Sequence, residues 1–155
     1  MKKILLTILL TLVLCGGAYA KDIILECKLI NLTSTMYDKT VVYSAQELNS
    51  PINFDNVYKI NSKSKTILSY NRYRGEFQQL SRDVDDFEIN WSENEINWTF
   101  KTPIIQGASS RDSLNRNTGK LIQKIFFEKT SDTYKNTGMS YSKSVSQCQK
   151  RDKFF

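Results

Sequence analysis

Histidine is absent from the 155-residue chain. That removes the commonest general base at neutral pH, every serine or cysteine triad that relies on one, and the usual nitrogen ligand of zinc. Neither GxGxxG, a P-loop nor GxSxG occurs, so the chain carries no dinucleotide fingerprint, no phosphate cradle and no nucleophile elbow. An enzyme built from these residues would have to run on carboxylates, tyrosine or lysine. The acidic stretch holding Asp83, Asp85, Asp86, Glu88, Glu93 and Glu95 matches neither the spacing of an EF-hand loop nor a paired-carboxylate motif, and reads as solvated charge. The chain is therefore expected to be non-catalytic, with no cofactor and no metal. No periodic segment is long enough for a parallel crossover helix, which leaves antiparallel pairing.

What is present begins with a leader. Lys2 and Lys3 form a charged start, residues 4–14 an apolar run, and Ala18-Tyr19-Ala20 a small-x-small cleavage signal, the pattern of a secretory signal peptide. The run is shorter than the roughly 20 residues a transmembrane helix needs, and no later segment approaches that length. Residues 1–20 are thus expected to be a signal peptide and 21–155 a single β domain, periplasmic or secreted. Cleavage before Cys15 as a lipoprotein is the alternative, although Leu14 is larger than the residue such signals prefer.

Cys27 and Cys148 then sit near opposite ends of the mature chain in an oxidising compartment, and two such cysteines are expected to pair. In the chain-entropy view, closing a loop of about 120 residues stabilises by up to about 4.8 kcal/mol. Taking the leader's two lysines from the 22 basic residues leaves 20 against 16 acidic ones, a net charge of +4. That permits weak attraction to anionic lipid, polysaccharide or nucleic acid without requiring any of them. The reading adopted is an envelope protein or glycan partner, no nucleic acid, and a monomer.

The clearest structural signal is the stretch 110–128. Leu114, Leu121, Ile125 and Phe127 flank the turn-forming run Asn115-Arg116-Asn117-Thr118-Gly119, with Gly119 suited to the left-handed position that ends a short hairpin loop. The register stays open, since loops of two, three or four residues give Leu114 different partners. A second hairpin covers 87–100. A four-residue loop there pairs Trp91 with Ile96, Ile89 with Trp98 and Phe87 with Phe100, placing every apolar side chain on one face and Glu88, Asn90, Asn97 and Thr99 on the other.

Other strands are expected at 21–30 with Cys27 inward, at 39–43, at 52–60 through Ile52, Phe54, Tyr58 and Ile60, at 65–70, and at 139–147. There Met139, Tyr141 and Val145 oppose an all-serine face. Residues 31–35 read as a turn, 103–110 as a polar connection and 129–138 as a turn or loop. Ser44-Ala45-Gln46-Glu47 matches a capping box for one helical turn, ended by Pro51. Tyr70, Arg72, Tyr73 and Arg74 combine guanidinium and aromatic faces, a possible ligand surface for a sugar or anion. The plainer alternative is an exposed edge with arginines lying along it.

Together these give an all-β domain of eight or nine antiparallel strands, a barrel or a two-sheet sandwich, its last strand joined to its first through Cys27 and Cys148. An exported binding module follows, or alternatively a carrier with an apolar barrel interior for a small molecule. The run Leu114, Arg116, Thr118, Gly119 and Leu121, with an early and a near-terminal cysteine, resembles a group of small exported bacterial β proteins without an assigned activity. Size, export, β-barrel form and cysteine use are also similar to the membrane-bound C-type lysozyme inhibitors. Their serine-rich and Tyr-x-x-Lys-Gly inhibitory segments are not recognisable, and a positive chain complements a cationic lysozyme poorly.

Overall fold

The computed structural model describes residues 22–48, 56–81, 85–102 and 107–151. The leader, the alternative cleavage point at Cys15, Ile52, Phe54, Pro51, Asp83 and the residues after Arg151 lie outside them.

The chain is all-β, as expected. Its strands are β1 (Ile23–Met36), β2 (Lys39–Ser44), β3 (Asn56–Asn61), β4 (Thr66–Asn71), β5 (Glu76–Gln79), β6 (Asp85–Trp91), β7 (Glu95–Thr102), β8 (Ala108–Asn115), β9 (Lys120–Phe127) and β10 (Met139–Arg151). They form one antiparallel sheet in the order β5-β4-β3-β1-β10-β9-β8-β7-β6, with β2 also paired to β1. These nine strands curl into a half-barrel. The sheet thus buries one face by bending round on itself rather than by stacking on a second sheet.

β1 is the strand on which the rest hang. It pairs along its length with β10, while its first half pairs with β3 and its second with β2. Cys27 faces Cys148 directly, and the two form a disulfide. The expected joining of first and last strands is therefore found. Residues 31–35, read as a turn, are instead strand: with neighbours on both sides, every backbone group there finds a ladder partner, and pairing overrides polar side chains. The turn comes later, at Tyr37 and Asp38, both in the left-handed region (φ 45° and 62°), the geometry of a two-residue hairpin turn.

The central hairpin pairs Leu114 with Leu121, so four residues, 116–119, lie between β8 and β9. Asn115 Oδ1 accepts hydrogen bonds from the backbone N–H of Asn117 and Thr118 and from the Thr118 hydroxyl. Gly119 ends the turn at φ +69°, where a Cβ would stand 2.5 Å from the Cys148 carbonyl oxygen. The same carbonyl edge is pinned by the Cys148 N–H donating to the Gly119 oxygen at 2.8 Å. Gly119→Ala is expected to lower the unfolding free energy by about 2 kcal/mol or more, since left-handed strain and a backbone clash add; the midpoint of urea unfolding measures it.

The second hairpin pairs Trp91 with Ile96 and Ile89 with Trp98, as expected. The third expected pair, Phe87 with Phe100, is displaced: the register shifts between Asp85 and Glu88, where Asp86 takes φ 50° and its carboxylate meets Lys101 at 2.5 Å. Two residues oppose one there, which is a bulge. The Ser44 capping box forms, with the Glu47 carboxylate accepting from the Ser44 N–H and hydroxyl at 2.6 and 2.7 Å and the Glu47 N–H donating back at 3.2 Å.

Residues 129–138, read as a turn or loop, contain the helix α1 (Asp132–Thr137), capped by Ser131 and closed by Gly138 at φ 67°. At six residues it is too short for apolar periodicity to reveal. The connection expected over 103–110 is also shorter than thought, because β8 already begins at Ala108.

The core lies on the concave face. Tyr58, Ile60 and Ile67 from β3 and β4 meet Ile96, Trp98, Leu114 and Leu121 from β7, β8 and β9, with the disulfide between them. The serines of β10 lie on this same side, Ser146 being 1% exposed, while the Tyr141 row faces outward.

Candidate functional site

Alternation along β8 and β9 puts Ser110, Asp112 and Leu114 on the concave face opposite Ile125, Gln123 and Leu121. Asp112 is 4% exposed and is the one carboxylate among the buried residues described. It accepts hydrogen bonds from the Ser110 hydroxyl at 2.7 Å and from Gln123 Nε2 at 3.3 Å. Burial pushes its pKa up to about 6, against the pull of those two bonds and of the nearby Trp98 indole N–H and Lys124 backbone N–H.

Gln123 is the hub of the surrounding network. Its amide nitrogen also donates to the Tyr58 hydroxyl at 3.2 Å, and its oxygen accepts from Asn56 Nδ2 at 3.2 Å and from the Ser144 hydroxyl at 3.5 Å. Burial, and then the Asp112 charge, hold the Tyr58 hydroxyl well above its ordinary pKa. Four strands, β3, β8, β9 and β10, are thereby tied through one side chain. The indole nitrogen of Trp91 is buried without a hydrogen-bond partner, and that of Trp98 lies near Asp112 but outside good hydrogen-bond geometry. One buried carboxylate beside a neutral phenol and a serine hydroxyl can hold a proton, and it is the one carboxylate among the buried residues described.

A second feature is a pocket of about 340 Å³ at the end of the half-barrel where the β6–β7 and β8–β9 turns meet the start of β1. Ile23, Leu25, Ile60, Ile96 and Leu114 form its apolar lining, and Ser62, Glu93, Arg116 and Lys150 its polar rim. The rim is built, not loose. Arg116 donates to the carbonyls of Ser92 and Glu93 at 3.0 and 3.1 Å, its N–H bonds the Asn94 oxygen at 2.8 Å, and Asn117 donates to Asn94 Oδ1 at 3.0 Å. Gln147 Nε2 holds the other side through the Thr118 carbonyl at 2.7 Å.

The residues singled out from sequence lie elsewhere, at the β4–β5 end. Tyr70 is the penultimate residue of β4 and its ring meets Phe77 edge-on at 5.3 Å. Arg72, Tyr73 and Arg74 occupy the following turn, held by Asn71 Oδ1 accepting from the N–H groups of Tyr73 and Arg74 at 3.0 and 3.1 Å. Tyr73 is fully exposed. This turn and the pocket share no residue. Sequence reading missed Asp112 and Gln123; the signal available was a polar pair at matching inward positions of the central hairpin, visible only once its register is known. Among the described residues no cluster of three or more aspartates, glutamates or cysteines could hold a metal ion.

Comparison with family models, with curated proteins and with solved structures finds no match to this chain. Its function has to be argued from the geometry alone.

Proposed function

We propose that the chain is an exported, non-catalytic binding module that takes an apolar group, carried on a polar or anionic body, into the pocket at the turn end of the half-barrel. The observation that carries this is the pocket's construction: about 340 Å³ with an apolar floor and two cations, Arg116 and Lys150, on its rim. That is the lower end of the range of small-ligand sites, and such sites combine apolar walls with a few placed polar groups. The concave face itself is packed by Trp98, Ile96 and Leu121, which supports binding at a surface pocket over a carrier that encloses its ligand in the barrel interior. The disulfide supports an oxidising location.

The probe is anilinonaphthalene sulfonate, an apolar ring system with one sulfonate. Its fluorescence is expected to rise saturably with the folded protein. Ser62→Trp, an exposed turn position on the rim, places an indole in the mouth and is expected to weaken binding at least tenfold without altering the circular dichroism spectrum. Unchanged binding by that variant would remove the pocket from the proposal, and no saturable signal with the parent would remove the ligand class.

A further inference from the structure

The outer face of the sheet holds a separate feature. The register places Arg111 of β8 opposite Lys124 of β9, and Lys124 opposite Lys143 of β10, so three cations stand abreast on three successive strands. Like charges directly opposite on neighbouring strands destabilise a sheet. Among the described residues no carboxylate pairs with them. The ion pairs among the described residues are Lys59–Asp22, Lys101–Asp86, Lys135–Asp132 and Arg151–Glu26, and none includes these three. Glu95 lines the same groove but its oxygens are taken by Ser113 and Asn97 at 2.5 and 3.1 Å. Glu88 stands two strands from Arg111 across Thr99, roughly 10 Å away at the usual strand spacing. A row that costs the fold stability, and in which neither lysine has an ion-pair partner among the described residues, is suited to a partner outside the fold.

We infer that the Arg111–Lys124–Lys143 row is a binding surface for a linear acidic glycan. Cations on adjacent strands recur at about 5 Å, so a chain laid across the strands with one acidic group per sugar meets them in turn. Thr99, Ser113 and Asn97, on the same outward face, supply donors and acceptors for sugar hydroxyls.

Two other polyanionic partners fit less well. Single-stranded nucleic acid is held by aromatic faces open to successive bases. Here Arg111 covers the Phe126 ring at 5.5 Å from its centroid, and Tyr141 packs against it at 5.2 Å. An anionic membrane is flat, whereas this is the convex side of a curled sheet, which a plane touches only along a line.

The test uses heparin as the acidic glycan, with a single-stranded oligothymidylate and phosphatidylglycerol vesicles as comparators at matched charge. Heparin is expected to bind most tightly and to weaken as salt rises. Lys124→Glu is expected to reduce heparin affinity at least tenfold, while its melting temperature is held or raised, because the new carboxylate sits between Arg111 and Lys143. Lys63→Glu makes the same change of net charge in the β3–β4 turn and is expected to stay within twofold of the parent. Equal losses in the two variants would overturn the assignment to this row, as would heparin binding unaffected by Lys124→Glu. Tighter binding of the oligothymidylate or of the vesicles would overturn the ligand class.

Discussion

Replacing both Cys27 and Cys148 by alanine is expected to lower the unfolding free energy by about 2 to 5 kcal/mol, among the largest losses two residues of this chain can produce. The bond joins positions 121 apart in sequence, so it restricts nearly the whole unfolded described chain. In the folded state the same two residues face each other between β1 and β10, already aligned by the ladder on either side. Little native structure therefore has to change when the bond is lost, and the effect falls on the unfolded ensemble. Both cysteines also belong to the core, and the smaller alanines add a packing loss. Urea unfolding of the parent and the double variant measures the difference, with the reduced parent as a third sample. A loss under 1 kcal/mol would show that the unfolded chain keeps β1 and β10 together without the bond.

Asp112→Asn is expected to stabilise the protein at neutral pH by up to about 3 kcal/mol, from a pKa raised from 3.8 to about 6 at 1.36 kcal/mol per unit. The folded state binds the proton more tightly than the unfolded state does. The cost of burying the carboxylate is thus absent below about pH 4, grows as pH rises towards 6, and is complete above it. Asparagine keeps acceptor capacity for the Ser110 hydroxyl without the charge. Unfolding free energies of the two proteins should therefore lie a constant distance apart near pH 3.5 and diverge in the variant's favour up to pH 7. Asp22, Glu47 and Glu95 shift the other way, each lowered by hydrogen bonds from neighbours, and cancel in the comparison because both proteins carry them. A difference that does not change with pH would show that folding leaves the Asp112 pKa unshifted.

Much of the fold was legible because it rests on local chemistry. The Gly119 turn, the Ile89–Trp98 and Trp91–Ile96 pairs and the Ser44 cap each follow from residues within a dozen positions of one another. The disulfide was legible for a different reason, since only two cysteines remain beyond the leader. Neighbours distant in sequence decided what was missed. Residues 31–35 look like a turn because their side chains are polar, yet β2 and β10 flank them on both sides. The all-serine face of β10 lies inward despite its polarity, because Cys148 shares its parity and sets the face. The pocket and the cation row each draw on three or more strands, and no spacing in the sequence brings Lys143 beside Lys124 before the strand order is known.

That order has a kinetic meaning. Among the described residues β10 is the sole strand joining β1, with β2 to β5 beyond it, to the array β9 to β6. A chain synthesised only as far as α1 holds two separate meanders, each with a bare edge where β10 belongs. Closing the sheet requires a contact between the first strand and the last, the kind of long-range pairing that makes folding slow. Residues 139–151 therefore have to be present before the two halves can share one sheet.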